Sequence, residues 1–371
     1  MHITFVRALL PQLDARMSKY AHALKARGDT VSFIGWDRDQ TELPASEDQV
    51  FLYRKVAALG ARWRNLWALI GWNLFILRTL FRQRHQLSVV HSVDLDSTLA
   101  AWIFCRLCRK PLVFDIYDHY ADSRAISGPV RRLFNGIERF LARHADLTLL
   151  ADESRYQQHA LAPAPNIMIV ENVPASQLPA QPLDPFESGP IRIGYLGILE
   201  KQHRGLEDLL AACAGCPDVE LHIGGYGPLS SHVEAMAQDH DNIIVHGPLS
   251  HDAGLKMLSS MHCIVGFYYL SIPNHRYAAP NKYYEHLLLG RALLTTLGTP
   301  PGKRVIEEQT GWALAETTNA IHDWLASVTK AELVARGTRA RALWDQHYRQ
   351  YAHDVYSSQY CSQLEALLRH A

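Results

Sequence analysis

Short apolar or β-branched runs alternate with longer helical patterns twice along this chain of 371 residues. Strands of a parallel sheet are buried on both faces, so they form continuous apolar runs rather than alternating ones. Regular alternation of such strands with helices is typical of sheets covered by helices on both sides. The pattern therefore predicts an α/β protein with two Rossmann-like, doubly wound parallel-sheet domains.

The strands predicted before residue 174 are Ile3–Val6, Val31–Ile34, Val50–Leu52, Val89–His91, Leu112–Asp115, Leu147–Leu150 and Ile167–Val170. Those predicted after residue 190 are Ile191–Leu196, Val219–Ile223, Ile243–Val245, Cys263–Gly266 and Ala292–Thr295.

A proline-rich stretch, residues 174–190, separates the two halves and contains five prolines with little periodicity. Such composition indicates a linker. A chain of this length also exceeds the ~250 to 300 residues that a single core usually supports. We predict an N-terminal domain at 1–173, a linker at 174–190 and a C-terminal domain at 191–350. A final helix at 351–371 should pack back on the first domain.

Lys plus Arg and Asp plus Glu both number 37, so no net charge favours nucleic acid as a partner. The first residues lack the basic start and cleavage site of a signal peptide, and we expect a cytoplasmic protein. Two C-x-x-C pairs, at residues 105/108 and 213/216, lie within apolar helical patterns far apart in the chain. We interpret them as core thiols rather than as a zinc or redox site.

The segment NHRYAAPNKYYEHLLLG at 274–290 contains a candidate anion site. Asn281 follows a proline and begins an apolar helical pattern, so Lys282 and the first-turn amides face the space before the helix. A helix N-terminus attracts anions, and Lys282 adds a full positive charge. Glu285, one turn on, offers two acceptor oxygens to the vicinal diol of a ribose. The alternative is an ordinary surface helix.

Glycines follow two predicted strands of the second domain, where open parallel sheets bind their ligands. Gly197 precedes Arg204, whose guanidinium suits phosphate oxygens. Gly225, Tyr226 and Gly227 end the next strand, where a small backbone lets a base or ribose approach. A shared cleft at the strand ends of both sheets would hold one substrate on each domain.

Five segments together resemble the family-four glycosyltransferases of the GT-B fold, and the resemblance covers nearly the whole chain. They are Asp14-x-Arg16 before a helix, HSVDLD at 91–96, PLVFDIYDHYADS at 111–123, GYLGILEKQHRGL at 194–206 and PNKYYEHLLLG at 280–290. The last segment is the most specific of the five.

The resemblance implies a nucleotide-sugar donor held by the second domain. Arg204, Lys282 and Asn281 would bind its diphosphate, Glu285 its ribose, and the backbone at 225–227 its nucleotide. Tyr277, Gly197 and Arg16 are the donor-sugar candidates. Tyr277 stands eight residues before Glu285, where the family usually has a glutamate, so the chain resembles a variant subgroup.

Asp115, Asp118 and His119 follow a strand of the first domain and are candidate bases for an acceptor hydroxyl. His119 suits neutral pH because the ordinary pKa of histidine is about 6.5, although it could instead be a hydrogen-bonded structural residue. If the reaction retains configuration, a phosphate oxygen of the leaving group takes the proton and no side-chain base is needed.

His91, Asp94 and Asp96 suggest a metal site, but they precede a helix that either aspartate could cap. We favour the cap. Arg204, Lys282 and a helix N-terminus supply positive charge for a leaving diphosphate, so we expect no metal and no cofactor beyond the nucleotide sugar.

The stretch from Arg54 to Arg84 combines tryptophans and arginines around a twelve-residue apolar run, too short for the ~20 residues that span a bilayer. It suggests binding to an anionic membrane surface, although a buried helix with a basic rim is an alternative. The side chains predicted to contact membrane or acceptor are Trp63, Arg64, Trp67, Trp72, Arg78 and Arg82.

The expected function is transfer of a hexose or related sugar from a UDP- or GDP-linked donor to a lipid-linked saccharide or glycolipid, in bacterial polysaccharide or cell-envelope synthesis. The enzyme would bind the inner face of the plasma membrane as a peripheral protein. Alternatives are an inverting polysaccharide glucuronosyltransferase of the same fold, a nucleotide-sugar 2-epimerase, and a non-catalytic partner that binds a nucleotide sugar or a lipid.

Overall fold

The computed structural model describes residues 1–11, 14–38, 48–56, 62–175, 178, 181–185 and 187–370, with only the backbone described for 62–66 and 370. The chain forms two compact units. The first comprises Met1–Glu171 and Tyr351–Ala371, and the second Asn172–Gln350.

A parallel sheet of seven strands lies at the centre of the first unit, in the order β3-β2-β1-β4-β5-β6-β7. Its strands are β1 His2–Arg7, β2 Thr30–Asp37, β3 Gln49–Arg54, β4 Val89–Val93, β5 Leu112–Ile116, β6 Leu147–Leu150 and β7 Ile167–Ile169. Its helices are α1 Ala15–Ala26, α2 Arg62–Gln83, α3 Leu95–Cys108, α4 Tyr120–Ser123, α5 Gly128–His144 and α6 Ser154–His159.

Successive residues of the strands face opposite sides of this sheet, so each side has its own core. On one side, Val6 and Ile34 pack with α2, α3 and α5. On the other, Phe5 and Phe33 pack with α1. Both sides are covered by helices, as the predicted doubly wound fold requires.

The second unit has a parallel sheet of six strands in the order β10-β9-β8-β11-β12-β13. Its strands are β8 Ile191–Ile198, β9 Val219–Tyr226, β10 Ile243–Gly247, β11 Cys263–Gly266, β12 Ala292–Thr296 and β13 Gly311–Leu314. The α/β fold with two such sheets is thus confirmed, and β13 is a strand that the sequence analysis missed.

The helices of the second unit are α7 Leu206–Cys213, α8 Ser230–Asp239, α9 His251–Ser259, α10 Asn281–Leu289, α11 Pro300–Glu307, α12 Thr318–Ser327 and α13 Lys330–Leu343. A short 3-10 helix spans Pro273–Tyr277, and a π-helical turn spans Trp344–Tyr348.

The end of the chain lies in the first unit. A π-helix, Ala352–Tyr360, continues into α14, Cys361–His370. Tyr356 and Tyr360 pack against Tyr20 of α1, with ring centroids 5.2 and 4.6 Å away. The Tyr360 hydroxyl lies 2.7 Å from Nδ1 of His91, so a buried hydrogen bond also ties the C-terminal segment to β4.

The proline-rich segment interpreted as a linker belongs to the second unit. Arg291 donates a hydrogen bond of 2.6 Å to the Gln181 carbonyl, and Lys330 donates one of 2.9 Å to the Glu187 carbonyl. Residues 176, 177, 179, 180 and 186 lie outside the described residues. The described part is therefore not a free spacer, because cationic side chains hold its carbonyl groups.

The orientation of helix α2 corrects the prediction that Trp72 contacts the membrane or the acceptor. Trp72 has 0% of its surface exposed and stacks on Trp36 at a centroid distance of 5.7 Å, so it belongs to the core. Trp67, five residues earlier on the outer side, is 71% exposed. Arg78 and Arg82 are exposed, whereas the Trp63 and Arg64 side chains lie outside those described. Over the residues that the structure describes, no helix has the length and apolar character needed to cross a bilayer.

Removal of the two tryptophans of α2 should affect the free energy of unfolding to very different extents. Trp72→Ala empties a fully buried site, and we expect it to lower the free energy of unfolding of the first unit by about 3 to 5 kcal/mol. The matched control Trp67→Ala removes an exposed side chain and should change it by less than about 0.5 kcal/mol. Urea unfolding followed by far-UV circular dichroism measures both, and equal losses would contradict the assigned orientation of α2.

Candidate functional site

Glycines bring the ends of β8 and β9 into close contact. Gly225 has a φ of +140°, and a Cβ placed on it would lie 1.8 Å from the carbonyl oxygen of Gly197. A Cβ on Gly227, with a φ of +155°, would lie 2.6 Å from the carbonyl oxygen of Leu199. Both glycines are thus required by backbone packing, and Tyr226 between them is 63% exposed at the strand end.

Lys282 lies on the first turn of α10, and its side chain extends past Gly266 and Gly197. A Cβ on Gly266 would come within 2.9 Å of the lysine Cδ, and one on Gly197 within 3.0 Å of its Nζ. The ammonium group lies 5.1 Å from the centroid of the Tyr195 ring. The described residues offer it no hydrogen bond and no ion pair within 4 Å, so none of them neutralises its charge by direct contact.

The electrostatics of Lys282 follow from that position. Burial lowers its pKa, the Glu285 carboxylate opposes that shift and the nearby positive charge of Arg204 adds to it, which brings the pKa to about 8. A lysine that titrates near neutral pH at the end of a parallel sheet is a typical functional group. An anion bound there would stabilise the ammonium form.

Arg204 lies directly before α7. Its guanidinium carbon is 5.1 Å from the centroid of the Tyr268 ring, and its Nε donates to Glu200 at 3.1 Å. Gly205, at the start of the helix, has a φ of +59°, and a Cβ on it would lie 2.8 Å from the Tyr269 hydroxyl. This tight turn fixes the backbone position of Arg204 and therefore the point from which its side chain extends.

Glu285 is 6% exposed, and its charge is felt by both Lys282 and Tyr268. Within the described residues, no donor forms a hydrogen bond with its carboxylate. Helix α10 begins after Pro280 without a side-chain cap, and Asn281 on its first turn is exposed. The structure therefore brings together the two cations, the carboxylate and the helix start that the sequence had separated by about 80 residues.

Three aromatic side chains of this site were missed by the sequence analysis. The rings of Tyr268 and Tyr195 lie beside Arg204 and Lys282 respectively. His275, 8% exposed, donates from Nδ1 to the Tyr269 carbonyl at 2.8 Å. Burial and the Arg204 charge lower the pKa of His275. Tyr277 ends the same 3-10 helix and is partly exposed. Tyr195 lies in β8, where an aromatic residue usually indicates core, so no local signal marked it.

Arg16 and Asp115 are paired inside the first unit, which corrects two assignments. The Arg16 Nε and Nη2 donate to the two Asp115 oxygens at 3.1 and 3.0 Å, and Nη1 donates to the Val170 carbonyl at 2.6 Å. Burial alone would raise the pKa of Asp115, but Arg16 and His91 together lower it. Arg16 is thus committed to Asp115 rather than to a donor sugar, and Asp115 cannot serve as a base.

His119 is also buried, with 2% of its surface exposed. Its Nδ1 lies 3.0 Å from Oδ2 of Asp122, and its Nε2 lies 3.7 Å from Oε1 of Glu138. A catalytic base has to reach the hydroxyl that it deprotonates. The structure therefore favours the structural alternative for His119 and leaves Asp118, 54% exposed, as the accessible group among the three predicted bases.

His119, Glu138 and His159 are the one cluster among the described residues with ligand atoms close enough for a metal ion, within 4.8 Å of one another. Glu138 accepts from the Tyr120 amide at 3.1 Å and lies 2.8 Å from Nδ1 of His159. These hydrogen bonds account for the cluster as a support for the loop after β5. The expectation of a metal-free reaction stays a prediction.

Asp94 occupies the N-cap position of α3, but its side chain does not cap the helix as the sequence suggested. Its Oδ1 instead accepts from the amides of Tyr117 and Asp118 at 3.0 and 3.4 Å. Its backbone has a φ of +56° and a ψ of 165°, which side-chain-bearing residues rarely adopt. Burial raises its pKa to about 8, with Arg7 opposing the shift. Asp94 follows β4 next to β1, the switch point where open parallel sheets bind ligands.

Comparison with known proteins agrees with this architecture. Residues 13–172 match the model of the glycosyl transferase 4-like domain family. No curated protein matches the chain by sequence. The sucrose-phosphate synthase from Thermosynechococcus elongatus is similar in structure, with a TM-score of 0.74, 15% identity, and coverage of 98% of this chain and 99% of that one.

Two further structures are similar over nearly their whole length. HepE from Anabaena, in complex with UDP-glucose, has a TM-score of 0.68 and 12% identity, and the match covers 99% of this chain and 100% of HepE. WaaG, described as a glycosyltransferase involved in lipopolysaccharide biosynthesis, has a TM-score of 0.65 and 15% identity, with 95% and 98% covered.

The fold is that of the GT-B glycosyltransferases. The first domain is family-four-like, because residues 13–172 match the glycosyl transferase 4-like model. The resemblance drawn from the sequence is confirmed to this extent.

Lys282 gives anion binding a defined pH dependence. Its pKa of about 8 means that the amine is protonated below that pH and neutral above it. Phosphate groups bind the ammonium form, so the affinity for UDP should fall by up to about tenfold per pH unit above pH 8. Titration calorimetry between about pH 7 and 10 measures this, with Lys282→Met as the control expected to lack the decline. An unchanged affinity of the unmodified protein across pH 8 would contradict the assignment.

Loss of the ion pair between Arg16 and Asp115 should lower the stability of the protein. Arg16→Met leaves the Asp115 carboxylate buried without its counter-charge, and we expect a loss of about 3 to 5 kcal/mol in the free energy of unfolding. Arg369, 76% exposed beside Glu365, provides the control Arg369→Met, for which the loss should stay below about 1 kcal/mol. An Arg16→Met protein of normal stability that lost only activity would restore the donor-sugar role.

Proposed function

We propose that the protein transfers a hexose or related sugar from a nucleoside-diphosphate sugar to a hydroxyl group of a lipid-linked saccharide or glycolipid, in bacterial polysaccharide or cell-envelope synthesis. The observation that carries the proposal is the ammonium group of Lys282. It lies beside Arg204 and Glu285 at the start of α10, without an ion pair within 4 Å among the described residues. The oxygens of a diphosphate supply such a pair.

The proposed donor contacts divide by chemistry. Lys282, Arg204 and the first amides of α10 at Asn281 bind the diphosphate, because two cations and a helix N-terminus match its charge. Glu285 accepts from the ribose hydroxyls, since its carboxylate lacks a donor among the described residues. Tyr226 and the neighbouring glycine backbone lie near the base, and Tyr277 and Gly197 near the sugar. A uridine nucleotide is supported by HepE, which was solved with UDP-glucose.

The same cations support a metal-independent reaction. As the bond between the sugar and the diphosphate breaks, negative charge develops on the leaving oxygen. Lys282 and Arg204 stabilise that charge directly, as preorganised cations do in other transferases of phosphate-linked groups. A divalent ion is then not required to neutralise it.

On the acceptor side, Asp118 is the proposed group that receives the hydroxyl proton in an inverting reaction. Asp94 accepts from the amide of Asp118, and its raised pKa provides a second carboxyl group that holds a proton near neutral pH. Both follow strands of the first unit, at the edge where ligands bind open sheets. In a retaining reaction the leaving phosphate takes the proton, and these carboxyl groups orient the acceptor.

A lipid-linked acceptor and a site of action at the inner face of the plasma membrane are supported by α2. This helix contains no acidic residue, and its outer side exposes Trp67, Arg78 and Arg82. WaaG, a similar structure, is described as acting in lipopolysaccharide biosynthesis. An enzyme that glycosylates lipid-linked molecules has to meet them at the bilayer surface.

Donor binding tests the proposal directly. In buffer with a metal chelator, the protein should bind UDP or GDP and the matching nucleotide sugar. Lys282→Ala and Glu285→Gln should each weaken that binding about 10- to 100-fold, because each removes a charge-assisted contact. The control is Lys303→Ala in the same unit, where the side chain is 75% exposed and should not affect binding.

Titration calorimetry with each nucleotide, followed by far-UV circular dichroism of every variant, separates binding from folding. Equal dissociation constants for the unmodified protein and the Lys282→Ala variant would refute the diphosphate site. Binding that appears only when Mg²⁺ replaces the chelator would refute metal independence. Tight binding with neither transfer to membrane-extracted lipids nor loss of the sugar would favour a non-catalytic partner.

A further inference from the structure

Helices α2, α3 and α5 of the first unit form one layer. Phe81 of α2 meets Phe104 of α3 at a centroid distance of 5.2 Å, and Trp102 of α3 meets Phe140 of α5 at 5.5 Å. The inner sides of all three helices pack against the same side of the sheet. Their outer sides therefore form one continuous surface, here called the three-helix face.

The three-helix face is unusually apolar. Of the 15 large apolar side chains that are exposed among the described residues, nine lie on these helices. They are Trp67, Ile70 and Leu74 on α2, Leu99, Ile103 and Leu107 on α3, and Val130, Leu133 and Phe140 on α5. Their spacing of three, four or seven residues places those of α2 and α3 on single stripes. A concentration of exposed apolar side chains in one helical layer is typical of a surface that contacts a partner.

The charges around these side chains have one sign. The sequences of the three helices contain two acidic residues, Asp96 and Glu138, which are 8% and 2% exposed. Exposed arginines are present on every one of the helices, at positions 78, 82, 106, 131, 132 and 143. Arg131 is paired with Asp122 at 2.7 Å, next to the start of α5. A surface of apolar side chains rimmed by arginines, with its acids buried, is complementary to anionic headgroups above hydrocarbon.

The opposite layer of the same unit provides an internal comparison. Helix α1 has no large exposed apolar side chain, and the C-terminal segment exposes only Leu368 in its described part. The difference between the layers shows that apolar exposure is not a general property of this unit. It is restricted to the layer that also carries the arginines.

We propose that the three-helix face, and not α2 alone, docks on an anionic lipid bilayer. Trp67, Leu107 and Leu133, the most exposed apolar residue of each helix, enter the boundary between headgroups and acyl chains. The arginines bind lipid phosphates while their stems cover the apolar border. The inference deepens the proposed function, on which its biological role rests, by defining the surface that faces the lipid.

Two variants test the contribution of the helices that were not expected to bind lipid. Ile103→Ser/Leu107→Ser changes α3, and Leu133→Ser/Phe140→Ser changes α5. The control Leu297→Ser/Ile306→Ser changes two side chains of the second unit with similar exposure, 52% and 50%. The probes are phosphatidylcholine vesicles with and without about one third phosphatidylglycerol.

Vesicle co-sedimentation should show binding to the anionic vesicles that exceeds binding to neutral ones and weakens with salt. Each double variant of the face should lower the partition coefficient at least about tenfold, and the control should leave it unchanged. Brominated acyl chains should quench the fluorescence of Trp67, and this quenching should be lost in Trp67→Phe.

Absence of vesicle binding by the unmodified protein would overturn the proposal, as would binding that both double variants of the face retain. A concentration-dependent dimer that these variants abolish, without vesicle binding, would assign the face to a second copy of the chain instead. UDP binding by the same variants is measured in parallel. Retained UDP binding with no vesicle binding refutes the docking face alone, whereas vesicle binding without UDP binding refutes the donor site alone.

Discussion

A charge that is removed from water has to be neutralised, and this constraint distinguishes the two units. In the first, Arg16 is buried against Asp115, and the protein supplies both partners of the pair. In the second, Lys282 is held among glycines and a tyrosine ring without such a partner in the described residues. The ion pair in the first unit stabilises the fold. The ammonium group of Lys282 in the second unit can instead be neutralised by a bound anion.

Much of the architecture was predictable because parallel sheets impose a strong pattern on sequence. Strands buried on both faces must be continuously apolar, and helices between them must be amphipathic, so both sheets were predicted from short runs. The geometry of the anion site proposed at the start of α10 was predictable for a related reason. A helix start, a lysine on its first turn and a carboxylate one turn later are local features, and their relative positions follow from helical geometry alone.

Other features depend on contacts between distant residues. Asp115 and Asp118 look equivalent in sequence, but only the first meets Arg16, 99 residues away. Helix α2 has apolar stripes on both sides, so periodicity could not show that Trp72 faces inward and Trp67 outward. The strained backbone of Asp94 has no local signal, since glycine or asparagine would normally mark such a conformation. Strand β13 is only four residues long and contains a glycine.

The first unit is discontinuous in sequence, and this affects the order in which the two units can be completed. Val355, Tyr356, Tyr360 and Leu364 belong to the same core as β1 and α1. Domains of many proteins fold in the order of their synthesis. Here one layer of the first unit cannot close until residues 355–364 have been synthesised, and the whole of the second unit is synthesised before them. The second unit therefore has its complete sequence before the first unit can complete its core.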